Sequence, residues 1–341
     1  MIISISSVLI LLVTLTVILL VCFLFTWLAK KTNIPSVVAL ILAGLLLGSP
    51  FFKDLILYKY LNVVSTLGEI GFVVLMFLAG MEVSWQMLYK EKENSLFIAF
   101  FAALTPLMLG TAVFLLFGFS LLTSITIGIT MSITAEATKA RVLLDLKKLK
   151  TKLGSLMMGA GIIDDIFGIF LFALITLIFT RTFLTKESLL IVIAIIAFFV
   201  GIATHKYIGR ETPKIKKAEK FLLAFIVPFF FLAMGMKFDF QSLILNPYLL
   251  IIIILLAIIG KISGVMLTYP ITKLKFKQLY LIGWGMNSRG AVELAIAFVA
   301  FNAGFLTESI YSSIIVMALI TTLIFPFIIT RMIKKEPKIM N

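Results

Sequence analysis

Two neighbouring carboxylates, Asp164 and Asp165, stand in the run Gly161-Ile162-Ile163-Asp164-Asp165-Ile166-Phe167-Gly168. An ionisable side chain costs several kcal/mol in such an apolar setting, so each one needs a reason. Adjacent residues on a helix point about 100° apart, so the pair can face two neighbours while lining one cavity. Two acids in a low dielectric do not readily both stay ionised without a cation beside them, and a proton and a metal cation would therefore compete for them. Lys261, in Ile258-Ile259-Gly260-Lys261-Ile262-Ser263-Gly264, is the nearest counter-charge at matching depth, with glycines that let another helix approach. A pair that only cross-links helices is the structural alternative for both features.

Two further apolar segments carry polar interruptions. One reads Ser132-Ile133-Thr134-Ala135-Glu136-Ala137-Thr138-Lys139-Ala140-Arg141 and the other Gly283-Trp284-Gly285-Met286-Asn287-Ser288-Arg289-Gly290-Ala291-Val292-Glu293. Irregular backbone at membrane depth survives only inside protein or beside a water-filled cavity. Half-helix ends there would offer partial charges and free carbonyls for an ion. Across these segments the acids Glu136, Asp164, Asp165 and Glu293 match the bases Lys139, Arg141, Lys261 and Arg289 in number. Lys139 and Arg141 have snorkelling to one face as the simpler reading. Glu69 is a further acid, read as structural.

The elements that must position these groups follow from composition. Of 341 residues, 62% are hydrophobic and 13% charged, with mean hydropathy +1.18. That leaves too little polar surface for a soluble enzyme or a nucleic-acid binder. Eleven apolar segments qualify as spanning helices, at 2–28, 35–49, 61–82, 94–118, 121–144, 153–180, 187–208, 219–236, 247–269, 278–302 and 309–331. Counted from residue 153, the Asp pair lies ~17 Å along its helix, near mid-membrane. The first segment has no basic residue ahead of it and reads as a retained span, not a leader. The lone cysteine, Cys22, provides no disulfide and no zinc spacing.

The net charge of +14 is distributed as an orientation signal. With the C-terminus in the cytoplasm, 21 Lys and Arg fall in loops on that side and 5 on the other. The expectation is therefore an all-α polytopic protein with about 11 spans in the cell (plasma or inner) membrane, its N-terminus outside. The third span ends Phe77-Leu78-Ala79-Gly80-Met81-Glu82-Val83 and the eighth contains Phe231-Leu232-Ala233-Met234-Gly235-Met236-Lys237-Phe238. Their odd offset places them in opposite directions, the pattern of an inverted repeat. One domain, 1–341, would hold repeat one at about 1–180 and a shortened repeat two at about 187–333.

With these features the chain resembles the monovalent cation:proton antiporter superfamily, nearest its two-aspartate sodium/proton branch. The resemblance is carried by Asp164-Asp165, Lys261, the polar break around Thr134, Arg289 to Glu293, and Leu67-Gly68-Glu69 leading to Phe77-Leu78-Ala79-Gly80. It implies that Asp165 carries Na+ or H+, that Asp164 pairs with Lys261 and shares in binding, and that Thr134 adds an oxygen ligand. It also implies two crossing discontinuous helices, charge compensation by Lys261, Glu136, Arg289 and Glu293, an elevator-like motion, and a homodimer in membrane lipid. The chain departs from the family in having fewer spans, and in placing Ala291 after Arg289-Gly290 with the acid delayed to Glu293.

The function expected is secondary antiport of Na+ or Li+ for H+, with no cofactor and no nucleic-acid partner. K+/H+ exchange or K+ efflux in the same fold is the nearest alternative, and a sodium-coupled organic-anion symporter is one from another class. A non-transporting sensor and an enzyme rank below these, because buried acids are costly and no nucleophile–base set is present. His205 is expected in solvated loop.

Overall fold

A computed structural model describes residues 5–32, 34–54, 60–83, 92–180, 186–209 and 212–340. The loop cations Lys59, Lys90, Arg181 and Arg210 lie outside the described residues. Every regular element described is helical: α1 (Ile5–Thr32), α2 (Ser36–Gly48), α3 (Leu61–Glu82), α4 (Lys92–Leu116), α5 (Leu121–Ser132), α6 (Glu136–Asp145), α7 (Lys152–Thr180), α8 (Lys186–Tyr207), α9 (Pro213–Phe225), α10 (Val227–Gly235), α11 (Pro247–Met266), α12 (Phe276–Gly285), α13 (Ala291–Asn302) and α14 (Glu308–Lys335). Three short helices and a terminal 3-10 turn, Pro337–Met340, complete them.

Among the described residues, eight helical stretches are long and apolar enough to cross a membrane, one of them the kinked run Pro213–Gly235. Ser36–Gly48, Leu121–Ser132 and Ala291–Asn302 are shorter apolar helices. Two of these three belong to the interrupted segments, so each expected segment falls on a helix or on a broken pair.

The breaks have local causes. Ser120 caps α5, its hydroxyl accepting from the Thr123 N–H. The chain then turns extended at Ile133, where β-branching and the following Thr134 weaken the helix, and restarts at Glu136. Near Pro228 the missing N–H separates α9 from α10. The tenth segment opens at 286–290 around a glycine, Gly290.

The helices pack as two groups. In the first, α3 lies against α8 and α10, and α2 joins α10 to α1. All nine residues of α10 are buried. There the backbones come into such close contact that a Cβ on Gly44 would overlap the carbonyl of Phe231. In the second, α4 packs against α5, α7 and α11, with α12, α13 and α14 closing around them. Gly260 and Gly264, which flank Lys261, face Pro106 and Phe101 on α4, the close approach expected from the sequence. The two groups meet where α7 touches α8, α13 touches α3 and α8, and α14 touches α2. His205 is not in solvated loop: it lies in the last turn of α8, with Nδ1 2.6 Å from the Met81 carbonyl oxygen.

Candidate ion-binding site

The two breaks cross. The Ala135 N–H donates to the Ser288 carbonyl at 2.8 Å, and the Ser288 hydroxyl returns a bond to the Ala135 carbonyl at 2.9 Å. Gly290 makes the approach possible, because a Cβ there would overlap Ala135 Cβ. Its backbone is extended, so the requirement is space, not an unusual dihedral.

Three of the four half-helix ends at the crossing have a charge of the opposite sign, and the fourth, at Met286, receives the Thr134 hydroxyl. Glu136 lies in the first turn of α6 and Glu293 in the first turn of α13, at the positive ends of their dipoles. Arg289 donates to the Ile133 carbonyl at 2.6 Å, at the negative end of α5, and to the Ala257 carbonyl at 3.4 Å. Its Nε stands 3.9 Å from Glu293 Oε2. The delayed acid at Glu293 therefore falls one helical turn from the arginine, on the same face. Thr322 donates to the Arg289 carbonyl at 2.8 Å and fixes the break to α14.

Asp164 and Asp165 sit on α7 beside the crossing. Lys261 Nζ is 2.7 Å from Asp164 Oδ2, with both side chains fully buried. Thr134 Oγ1 donates to the same oxygen at 2.6 Å, and the Met286 carbonyl lies 3.1 Å away as its other acceptor. Thr134 therefore braces Asp164. Asp165 differs: it keeps 8% exposure against 1% for Asp164. Among the described residues, nothing donates a hydrogen bond to Asp165 Oδ1 or to Asp164 Oδ1, and both atoms are buried.

Lys139 does not snorkel. It is fully buried, 2.7 Å from Glu136 Oε1, and donates to the Met157 carbonyl at 2.8 Å. Arg141 does leave the site, pairing at 3.4 Å with Asp145 on the exposed side of α6. The even charge balance read from the sequence is thereby corrected. Buried beside the crossing are four acids but three bases, Lys139, Lys261 and Arg289, each with its own acid. Asp165 is the acid left over. Glu69 stands apart, 2.7 Å from Lys186.

Sequence reasoning did not reach the Met157 carbonyl that holds Lys139, nor the place of Gly161 beneath Glu136. The three-residue spacing of Glu136 and Lys139 was a visible signal for their pairing.

A family model described as sodium/hydrogen exchanger, transmembrane, matches residues 16–218 and 182–335. The chain is 24% identical over 364 residues to a Na(+)/H(+) antiporter of Enterococcus hirae, covering 90% of this chain and 94% of that protein. It is 24% identical over 356 residues to the Na(+)/H(+)-K(+) antiporter GerN of Bacillus cereus, covering 88% and 90%. The high-affinity Na(+)/H(+) antiporter NhaS3 of Synechocystis is 27% identical over 329 residues, with 78% of this chain and 70% of that protein covered. Among solved structures, the fold is similar to that of the sodium proton antiporter MjNhaP1 from Methanocaldococcus jannaschii, with TM-score 0.66 and 16% identity over 95% of this chain and 97% of that one.

Proposed function

The chain belongs to the transmembrane sodium/hydrogen exchanger family, and from that premise we propose that it exchanges Na+ or Li+ for H+ across the cell membrane, using no cofactor. The observation that carries this reading is the unpaired acid. With Asp164 committed to Lys261 and Thr134, Asp165 has neither a cationic partner nor a donor to Oδ1 among the described residues. A buried carboxylate in that position must hold either a proton or a cation. A hard monovalent cation seeks oxygen ligands, and on α7 the Oδ1 atoms of Asp164 and Asp165 accept no hydrogen bond from a described residue, as is also true of carboxylate oxygens of Glu136 and Glu293 at the crossing. Competition for Asp165 couples the two fluxes: an alkaline face strips the proton and favours the cation, an acidic face reverses the preference.

The crossing supports exchange without a moving backbone at the site. Three half-helix ends are already offset by Glu136, Glu293 and Arg289 and the fourth is hydrogen-bonded by Thr134, so loading Asp165 changes one charge in a fixed frame. The two helix groups suit alternating access by an elevator-like motion. The site lies wholly in the group built on α4, α7 and α11, leaving the α2, α3, α8 and α10 group as the frame, the surface assigned to a homodimer contact and lipid. The paired broken segments fit two inverted repeats, about 1–180 and 187–333. The lysine bias places the N-terminus outside and the C-terminus in the cytoplasm.

K+ as the transported cation is the second reading, favoured by the similarity to the Na(+)/H(+)-K(+) antiporter GerN. The test is proton flux in sealed vesicles with Na+, Li+ and K+ added in turn. The wild-type chain should dissipate a pH gradient with Na+ or Li+, and Asp165→Asn should abolish that response. An active Asp165→Asn protein would refute the assignment, and a response to K+ alone would replace Na+ as cargo.

A further inference from the structure

One face of α7 carries Met157, Gly161 and Asp165 at successive four-residue steps, just over one helical turn or ~6 Å apart. The second half of the broken segment lies along this face. Lys139 Nζ is anchored on the Met157 carbonyl at 2.8 Å, with Met286 Sδ at 3.6 Å. The Glu136 carboxylate occupies the space over Gly161, where a Cβ would overlap its Oε1. Glycine in the interior of a long helix is destabilising relative to alanine, and here its bare Cα makes room for a carboxylate against the α7 backbone. Glu136 is thus held one turn from Asp165, on the side toward Lys152 where α7 begins and α6 ends. The lysine bias assigns that side to the cytoplasm. The charged groups acting on Glu136 are Lys139 on its own helix, Asp164 on α7 and Glu82 at the end of α3, and Glu136 in turn acts on Asp165.

We propose that Glu136 is the transfer group on the lysine-rich side of Asp165, with Lys139 as its positioning residue, an inference that rests on the exchange function proposed above. When the cation enters from that side, the O–H bond on Asp165 breaks as one forms on the Glu136 carboxylate, directly or through one water. The proton then passes from Glu136 to water at that face, and Asp165 is left anionic to take the cation. In the reverse half-cycle the same carboxylate receives the departing cation and passes it to that face, while a proton taken from water there returns to Asp165. Glu136 suits the transfer because the α6 dipole and Lys139 both offset its anionic form, while the Met157 carbonyl still accepts from the Lys139 ammonium during the step in which Glu136 is protonated.

The experiment measures the cation concentration for half-maximal exchange from each face, using the full chain in vesicles of both orientations. Glu136→Gln should raise it about tenfold from the lysine-rich face and leave the opposite face near the wild-type value, and Glu136→Asp should recover part of the loss. Because Glu136→Gln strands the Lys139 charge, the double variant Glu136→Gln/Lys139→Gln removes both together. It should unfold at the wild-type temperature yet keep the one-sided defect. A double variant with both wild-type stability and wild-type exchange would show the pair to be structural only and overturn the proposal, as would equal losses on the two faces. If the wild-type chain itself moves no proton with Na+, Li+ or K+, the exchange function fails first, visibly apart from any effect of Glu136.

Discussion

At Asp164 one carboxylate oxygen accepts from both an ammonium, at 2.7 Å, and a hydroxyl, at 2.6 Å. Nearby, Asp165 Oδ1 accepts from no described residue. This division of labour between sequence neighbours follows from the ~100° between them on the helix, which aims one at α11 and the first break and the other elsewhere. Removing the ammonium while keeping the carboxylate leaves a buried charge without compensation, which typically costs about 3–5 kcal/mol. Lys261→Ala should therefore lower the thermal unfolding temperature of the detergent-purified protein. Combining Asp164→Asn with Lys261→Met should recover much of it, because no charge is then stranded. An unchanged unfolding temperature in Lys261→Ala, with transport intact, would dismiss the pairing. The Asp pair and Lys261 were plain in the sequence, because each is an isolated charge in an apolar run. Which acid took the lysine followed from a family resemblance and not from spacing.

Among the elements, the two interrupted helices do the positioning. Their crossing is a contact between backbones, joined by the Ala135 N–H and the Ser288 carbonyl and permitted by the bare Cα of Gly290. A methyl on either strand is tolerated there, but not one on both. Gly290→Ala should therefore slow the initial rate of cation-driven proton flux by pushing the breaks apart, and adding Ala135→Gly should restore it by moving the methyl across. Failure of that second change to rescue would mean that Gly290 matters for another reason. The breaks themselves were legible as hydroxyls and charges inside apolar segments. Their juxtaposition was not, since the residues that touch lie about 150 positions apart.

For the whole molecule, the decisive feature is the division into two helix groups with few bridging polar contacts. One bridge joins Lys237, at the end of α10, to Asn302, at the end of α13; another runs from the Tyr311 hydroxyl to the Met234 carbonyl at 3.1 Å. Lys237 also lies over the Phe298 and Phe301 rings, and its burial holds the ammonium below the ordinary lysine range. If one group slides past the other during exchange, tying them at this point must stop it. With Lys237→Cys and Asn302→Cys in place, a bis(methanethiosulfonate) cross-linker should arrest proton flux, and cutting the link with a reductant should release it. The native Cys22 is buried and should not react in the single-variant controls. Undiminished flux in the cross-linked protein would argue for a fixed frame and a local gate in place of a sliding core.

The amino-acid order alone determined the solvent, the apolar segments, the lysine bias and the identity of the charges left in the membrane. These are legible because each charge in hydrocarbon carries its own penalty, which no neighbour in the chain conceals. Only the tertiary structure decided the partners. Glu136 and Lys139 form a buried pair over Gly161, Arg141 turns out to the surface, and Asp165 remains without a base among the described residues. Pairing depends on which helix faces meet and on where backbone carbonyls such as those of Met157 and Ile133 happen to lie. Those positions are set by packing between distant segments, and side-chain periodicity along the chain carries no trace of them.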